Sequence, residues 1–584
     1  MGCAIFTFVR LSMDRRLVSP DSGSNYNFQD KLQRPSVPRS LFDLSHLHTT
    51  TLPDIGSLIP IALFETVPGD SFELSVNALL RVLPQVVPMY ARQRLTTHAF
   101  YCRMGDLWNE FNTFMTRGYT GDEILSIPTL NSFNVGNSSI PAPGTRLGYE
   151  SLLSYMIPAL GSFNLTMDTL IRLGINALPF MMYSRIWRDY YCNKNFYIND
   201  RVLLPNVDDH YRLATDGSLI SAGTTDFMPN TYDLVSIRYR DFADDYFTSA
   251  FPSPQRGTAP TLDFTGSLTT LFGTGSSSHP LFRVSSVSDS GAFIDSSNGL
   301  IGTTAGLPNA AMLNGQFLTR LNNSLSPSVD FRSSITLNQI RELASAQSIL
   351  EKMAKTDGSY GDFGLTFFGV VSKNAMDYRP IYIGGTYQPI VFSEVLQTTD
   401  SASVPLGAYA GHGISVTQDD YIGRVDCDDY GYIMILCSVV PDTYYSQGLD
   451  RLWTRSLQSD MYLPERSRLG MREILNKELY LVGNAEQDND LFAYQNPYDE
   501  YRYMPSRISG KIADAANESF FPYTQSRYFT ALPTFSQSFA TMQNNVRNDF
   551  LVAPTEVPYT AQFSIGCRAV RPIPYHPIPS NLGV

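Results

Sequence analysis

The sequence predicts an all-β protein built as one elaborated Greek-key sandwich, and three observations carry that reading. Polar and apolar residues alternate with period two early in the chain (Phe72, Leu74, Val76 and Ala78 against Glu73, Ser75 and Asn77). An apolar run of strand length stands at 432–440, and the alternation returns at Phe563, Ile565, Cys567 and Ala569. Strand signals at both ends of the chain imply pairing between them, which gives the high contact order of a Greek key rather than a string of sequential domains. The length of 584 residues would otherwise suggest about four domains at roughly 150 residues each.

The first forty residues mix Ser, Asn, Pro and charge without periodicity and read as an extended arm. The arm is basic: Arg10, Arg15, Arg16, Lys31, Arg34 and Arg39 outnumber Asp14, Asp21 and Asp30, and the last seventeen residues add Arg568 and Arg571 with no acid. These eight cations are the candidate nucleic-acid contacts, since Lys and Arg neutralise phosphates, and Tyr26, Phe28 and Phe42 interleave with the arm's charges as base stacking requires. An arm that crosses a neighbouring subunit is the competing reading.

From residue 41 a core is expected. Leu58 to Val67 is a strand-length apolar run, Pro68-Gly69-Asp70 supplies turn chemistry, and a further strand is expected from Leu95 to Met104. Leu107, Phe111, Phe114 and Met115 then space as one helical face with Asp106 placed to cap it. Residues 258–330 hold only six charges amid Ser, Thr, Gly and Asn, and read as a surface insertion between core segments 41–257 and 331–584. After it, Ser333 and Ser334 can cap a helix carrying Leu337, Ile340, Leu343, Ala344 and Leu350 near one face and running to about Lys355.

Composition narrows the function. Charged residues are only 17 % and aromatics 12 %, a balance that suits large buried interfaces. The net charge of −12 leaves no chain-wide field for nucleic acid, so such binding has to be local. Among the 43 cations only seven are Lys, and Arg is the residue of buried pairs and phosphate contacts. The six cysteines contain no C-x-x-C and read as free thiols in a reducing compartment. No stretch approaches the roughly 18 to 20 apolar residues of a membrane span, and residues 3–9 lack the flanks of a secretory signal. Met1 and Met13 are both candidate starts.

Catalytic signatures are missing: no H-E-x-x-H, G-x-S-x-G, P-loop or dinucleotide fingerprint occurs. His46 and His48 would share a strand face, as turn or interface histidines or as a metal pair. Asp426, Asp428 and Asp429, and Asp488 and Asp490 after Glu486, are dense enough to hold a divalent cation through several oxygens, with solvated loop acid as the alternative. The competing function is a secreted or surface β-sandwich that binds or hydrolyses carbohydrate, because paired glycosidase carboxylates have no sequence spacing.

Several ordered stretches resemble the major capsid protein of microviruses, small icosahedral single-stranded DNA bacteriophages, in their gokushovirus branch. They include VPRSLFDLSH (37–46), LPDIGSLIPI (52–61), ETVPGDSFEL (65–74), DLWNEFNTFM (106–115), DDYFTSAFPSPQRG (244–257), PIYIGGTYQPI (380–390), TYYSQGLDRLWTR (443–455), the run from Ile474 to Gly510, and CRAVRPIP (567–574). The resemblance spans nearly the whole chain. It implies a single eight-stranded antiparallel jelly roll with long inserted loops and a few short helices. It also implies a T=1 icosahedral shell around circular single-stranded DNA, with no enzymatic activity and no cofactor beyond a structural cation. The 258–330 insertion would form a protrusion at the three-fold axis that meets a host receptor. A small basic DNA-packaging protein and other minor virion proteins would be partners, in the virion and in the host bacterial cytoplasm during assembly. One departure is Leu47, where the family commonly continues His-Gly after the Ser of this motif.

Overall fold

The structure is a computed structural model that describes residues 37–108, 110–130, 152–157, 174–197, 234, 236–260, 282–283, 293–295, 299–301, 337–356, 360–370, 379–393, 412–416, 420–468, 470–517, 519–554 and 556–576. The chain separates into two compact units, one of Met1–Pro252, Lys373–Leu463 and Glu473–Val584, the other of Ser253–Ser372 and Pro464–Arg472.

Ten strands of the first unit form one curled antiparallel sheet: β1 (Ser40–Asp43), β2 (His46–Leu52), β3 (Ile59–Thr66), β4 (Ser71–Val82), β5 (Gln93–Arg103), β6 (Ile381–Ser393), β7 (His412–Val416), β8 (Asp420–Asp426), β9 (Gly431–Pro441) and β10 (Tyr559–Arg571). The order is β1-β10-β4-β7-β6-β5-β9-β3, with β2 also on β10 and β8 also on β4. The expected all-β jelly-roll class is therefore found, but the ladder counts ten strands where eight were expected. Two lateral positions are each filled twice, by β1 and β2 and by β7 and β8. Between β1 and β2 the cause is local: the Asp43 carboxylate accepts from the Ser45 backbone N–H at 3.0 Å and from its hydroxyl, and this turn interrupts the strand.

The core follows from the alternation. Strand β4 buries Phe72, Leu74, Val76, Ala78, Leu80 and Val82, and β10 buries Tyr559, Ala561, Phe563, Ile565, Cys567 and Ala569. Large meets small across the register, as at Phe563 opposite Ala78. Each fully buried Leu, Val or Phe is worth about 1.5–3 kcal/mol. Ile433, Ile435, Cys437 and Val439 of β9 complete this core. The other face of β9, Tyr432, Met434 and Leu436, packs in a second cluster with Phe100, Cys102 and helix α1 (Leu178–Tyr190). Coverage on both faces is why 432–440 is continuously apolar. In β6, Gly384 is required by close approach: a Cβ there would lie 2.1 Å from the Ile422 carbonyl oxygen of β8.

The helix expected after β5 is two short pieces, Met104–Leu107 and Phe111–Thr116, broken where Trp108 turns extended. Asp106 lies inside the first piece and caps nothing. Leu107 and Trp108, on either side of the break, are both buried in the second cluster.

The second unit contains helices α2 (Leu337–Ala354) and α3 (Tyr360–Phe368) and a three-stranded antiparallel sheet of Phe282–Arg283, Phe293–Asp295 and Gly299–Ile301. It is wider than the expected insertion 258–330, most of which lies outside the described residues, as do Ser333 and Ser334. Helix α2, which the sequence reading assigns to the core, clusters here; its Gln347 amide bonds Gln255, and Arg256 donates to the Thr356 carbonyl.

Candidate nucleic-acid and assembly surface

The register of β1 on β10 sets Ser40 opposite Arg571 and Asp43 opposite Arg568. The described chain just before Ser40 and just after Arg571 therefore leaves the same end of the ladder side by side. Arg10, Arg15, Arg16, Lys31 and Arg34 lie outside the described residues. Arg39 is exposed beside the Gly69 turn, its Nη2 3.2 Å from where a Cβ would stand.

The other two predicted contacts have partners that the sequence did not reveal. Arg568 is exposed, but it sits in a cross-strand row in which Arg424 of β8 faces Glu73 of β4, Glu73 faces Arg568, and Arg568 faces Asp43 of β1. The signs alternate, so its charge is locally balanced. Asp43 is held below the usual carboxylate range mainly by the Ser45 hydrogen bonds, with Arg568 adding to the effect. Arg571 turns inward: its Nε and Nη2 lie 3.1 and 3.0 Å from the Asp70 carboxylate, Nη2 also donates to the Glu65 carbonyl, and the Asp70 side chain is 0 % exposed. Its guanidinium is thus committed to a buried pair rather than presented to phosphate.

The three acids of the β8–β9 turn do not converge. Asp426 accepts from the Ser71 hydroxyl at 2.6 Å, Asp428 is gripped by Arg103 through two bonds of 3.1 and 2.7 Å, and the Asp429 carboxylate accepts from the Tyr430 N–H. Asp488 accepts from the backbone N–H groups of Val482 and Gly483 and thereby closes its own loop. Among the described residues no group of three or more His, Cys, Asp or Glu is arranged to hold a metal. His46 bonds the Leu44 carbonyl and lies edge-on to Phe64, while His48 is half-buried and its pKa is lowered by burial and by His46. Cys102, Cys192, Cys427, Cys437 and Cys567 are free thiols, and burial pushes Cys427 and Cys567 up to about 12. No described helix is long and apolar enough to cross a membrane.

Buried ionic groups that the sequence reading did not single out tie the long C-terminal segment to the sandwich. Arg527 lies between the rings of Phe242 and Phe539, each 4.1 Å from its guanidinium carbon, and donates to the Tyr445 hydroxyl, which in turn donates to Asp245. Glu478 accepts from the Tyr246 hydroxyl and faces Arg451 at 3.7 Å; burial raises its pKa. Scattered single charges of this kind carry no sequence period, so only the fold reveals them.

Asp241 is 7 % exposed; one carboxylate oxygen accepts from the Asn193 N–H at 2.6 Å and the other has no partner. Burial raises it to about 7. The unfolded chain ionises near 4, so this group's stabilising share is fully present below pH 4 and is lost as pH rises through about 7, at most about 4 kcal/mol. Asp241→Asn keeps the acceptor and removes the titration. Thermal midpoints of the free subunit from pH 4 to 8 are expected to fall less for the variant than for the native chain; parallel curves would refute this.

An antiparallel jelly-roll sandwich, with Arg103, Arg455 and Arg571 held in ion pairs and large aromatic side chains left at its surface, has the build of a viral capsid subunit. The comparisons agree: the sequence model of the capsid protein (F protein) family matches residues 31–580, and the chain belongs to that family. It is similar to capsid protein VP1 of Chlamydia phage 1, with 28 % identity over 93 % of this chain and 96 % of the relative. Capsid protein VP1 of Bdellovibrio phage phiMH2K is 27 % identical over 96 % and 99 %, and that of Spiroplasma virus 4 is 24 % identical over 93 % and 95 %. The resemblance read from the motifs is borne out, and the chain is a capsid protein, a structural component of the virion.

Proposed function

We propose that this chain builds a T=1 icosahedral shell around circular single-stranded DNA. The observation that supports a DNA-facing role for the arm is the pairing of β1 with β10, by which the chain enters β1 beside Arg39 and leaves β10 at the same end of the ladder. With Arg571 paired to Asp70 and Arg568 in a balanced row, the phosphate contacts fall to the arm cations Arg10, Arg15, Arg16, Lys31, Arg34 and Arg39. A separate small basic protein would neutralise most of the genome, consistent with a chain of net charge −12. The 258–330 insertion would stand at the three-fold axes and meet the host receptor, and assembly would take place in the bacterial cytoplasm.

Microscopy of purified particles, with nuclease-protected DNA quantified in the same fractions, tests the reading. Replacing the six arm cations by Gln is expected to leave particles intact while protected DNA falls and becomes less sensitive to salt, because each lost phosphate contact removes counterion release. Unchanged DNA content in the variant would remove the arm from the interface.

A further inference from the structure

The first unit carries an open groove of about 280 Å³ between segments 450–455 and 500–505, with Tyr246, Phe247 and Glu478 also lining it. Its mouth is apolar: Leu452, Tyr501, Tyr503 and Met504 line it, and Tyr462 touches Tyr501 at 6.3 Å between ring centroids. Met504 is 67 % and Leu452 59 % exposed. Trp453, at 69 %, with Leu457 and Met461, extends the apolar surface along the same segment. All eight side chains are among the large hydrophobic residues that the fold leaves exposed, and clustered exposed apolar residues mark interaction sites.

The floor of the groove is stiff. Arg455 faces Glu500 at 3.5 Å and stands 4.2 Å from the Tyr501 ring centroid, and Arg451 faces Glu478. Groups held in place lose little entropy when a partner arrives, and Tyr, Trp and Arg are the residues that dominate interface energies.

We propose that this groove is a docking site for a second copy of this chain. Charge selects the occupant. The arginines at the rim are internally paired, Arg502 with Asp499 and Arg507 with Asp450, so the surface offers no net field to a phosphate backbone or to a strongly basic peptide. A neutral apolar surface complements one of the same kind, and this chain is poor in charge and rich in aromatics. In a closed ring of heterologous contacts every copy uses the groove once, so no subunit is left with Trp453 and Met504 in water. The proposal rests on the shell-forming reading above.

The test uses the full chain. Cysteine introduced as Met504→Cys or Leu452→Cys is expected to react with a maleimide in free subunits and to react at least about tenfold more slowly in particles assembled from this chain alone. Leu452→Ser combined with Met504→Ser is expected to lower particle yield by about tenfold or more, equivalent to roughly 1.4 kcal/mol, with an unchanged melting transition of the free subunit. Should the double variant fail to fold, the labelling decides. Equal labelling in particles and free subunits overturns the groove and leaves the shell standing. Protection seen only when other virion proteins are present overturns it as well. A native chain that forms no particle under any condition, including in infected cells, overturns the shell reading itself.

Discussion

Arg571→Ala is expected to destabilise the free subunit by about 3–5 kcal/mol, because it strands a carboxylate where water cannot reach it. The Asp70 side chain is 0 % exposed and anchors the Pro68-Gly69-Asp70 turn, accepting from the Val67 N–H at 2.8 Å while the Arg571 guanidinium neutralises it. Removing the cation leaves the cost of burying the anion with only the Val67 N–H bond to offset it. Arg571→Ala with Asp70→Asn should recover much of the loss, since a neutral amide is far cheaper to bury than an unpaired charge. Denaturant unfolding of the two single variants and the double variant measures the coupling, and strict additivity would refute the account. The same variant separates the two roles that Arg571 could have: a phosphate contact would lower packaged DNA without moving the unfolding midpoint.

The second large effect is expected at Phe563→Ala, about 3–5 kcal/mol. Phe563 is 0 % exposed in β10, flanked by Ala78 of β4 on one side and His48 of β2 on the other. Strand β10 closes the pairing between the two ends of the chain, so a cavity there weakens long-range contacts that nothing local replaces. Calorimetry or denaturant unfolding of the free subunit checks the size of the effect. A loss below about 1 kcal/mol would mean that the neighbours collapse into the space, against the close packing the register implies.

Strands β3, β4, β5, β9 and β10 were legible because each carries a burial pattern in its own residues: alternation in β4 and β10, and a continuous apolar run in β9. The helix expected over 106–115 was not, because Trp108 is extended and ends the first piece, a break that the helical spacing of Leu107, Phe111 and Phe114 does not record. Asp426, Asp428 and Asp429 look like a cluster in one dimension, yet Ser71, Arg103 and the Tyr430 backbone pull them apart. Neither Asp70 nor Asp241 stands out in the sequence, since an isolated carboxylate acquires its chemistry only from what surrounds it after folding.

By itself, then, the sequence determined the all-β class, the family and the uneven distribution of basic charge, since strand periodicity, ordered motifs and local composition are properties of neighbouring residues. Only the tertiary structure decided that the chain enters β1 and leaves β10 at the same end of the ladder, that Arg571 serves Asp70, and that Leu452, Tyr501, Tyr503 and Met504 line one groove. Each of those is a contact between residues tens to hundreds of positions apart. Which partner a charge or an aromatic ring meets is set by strand register and core packing, and no local pattern records it.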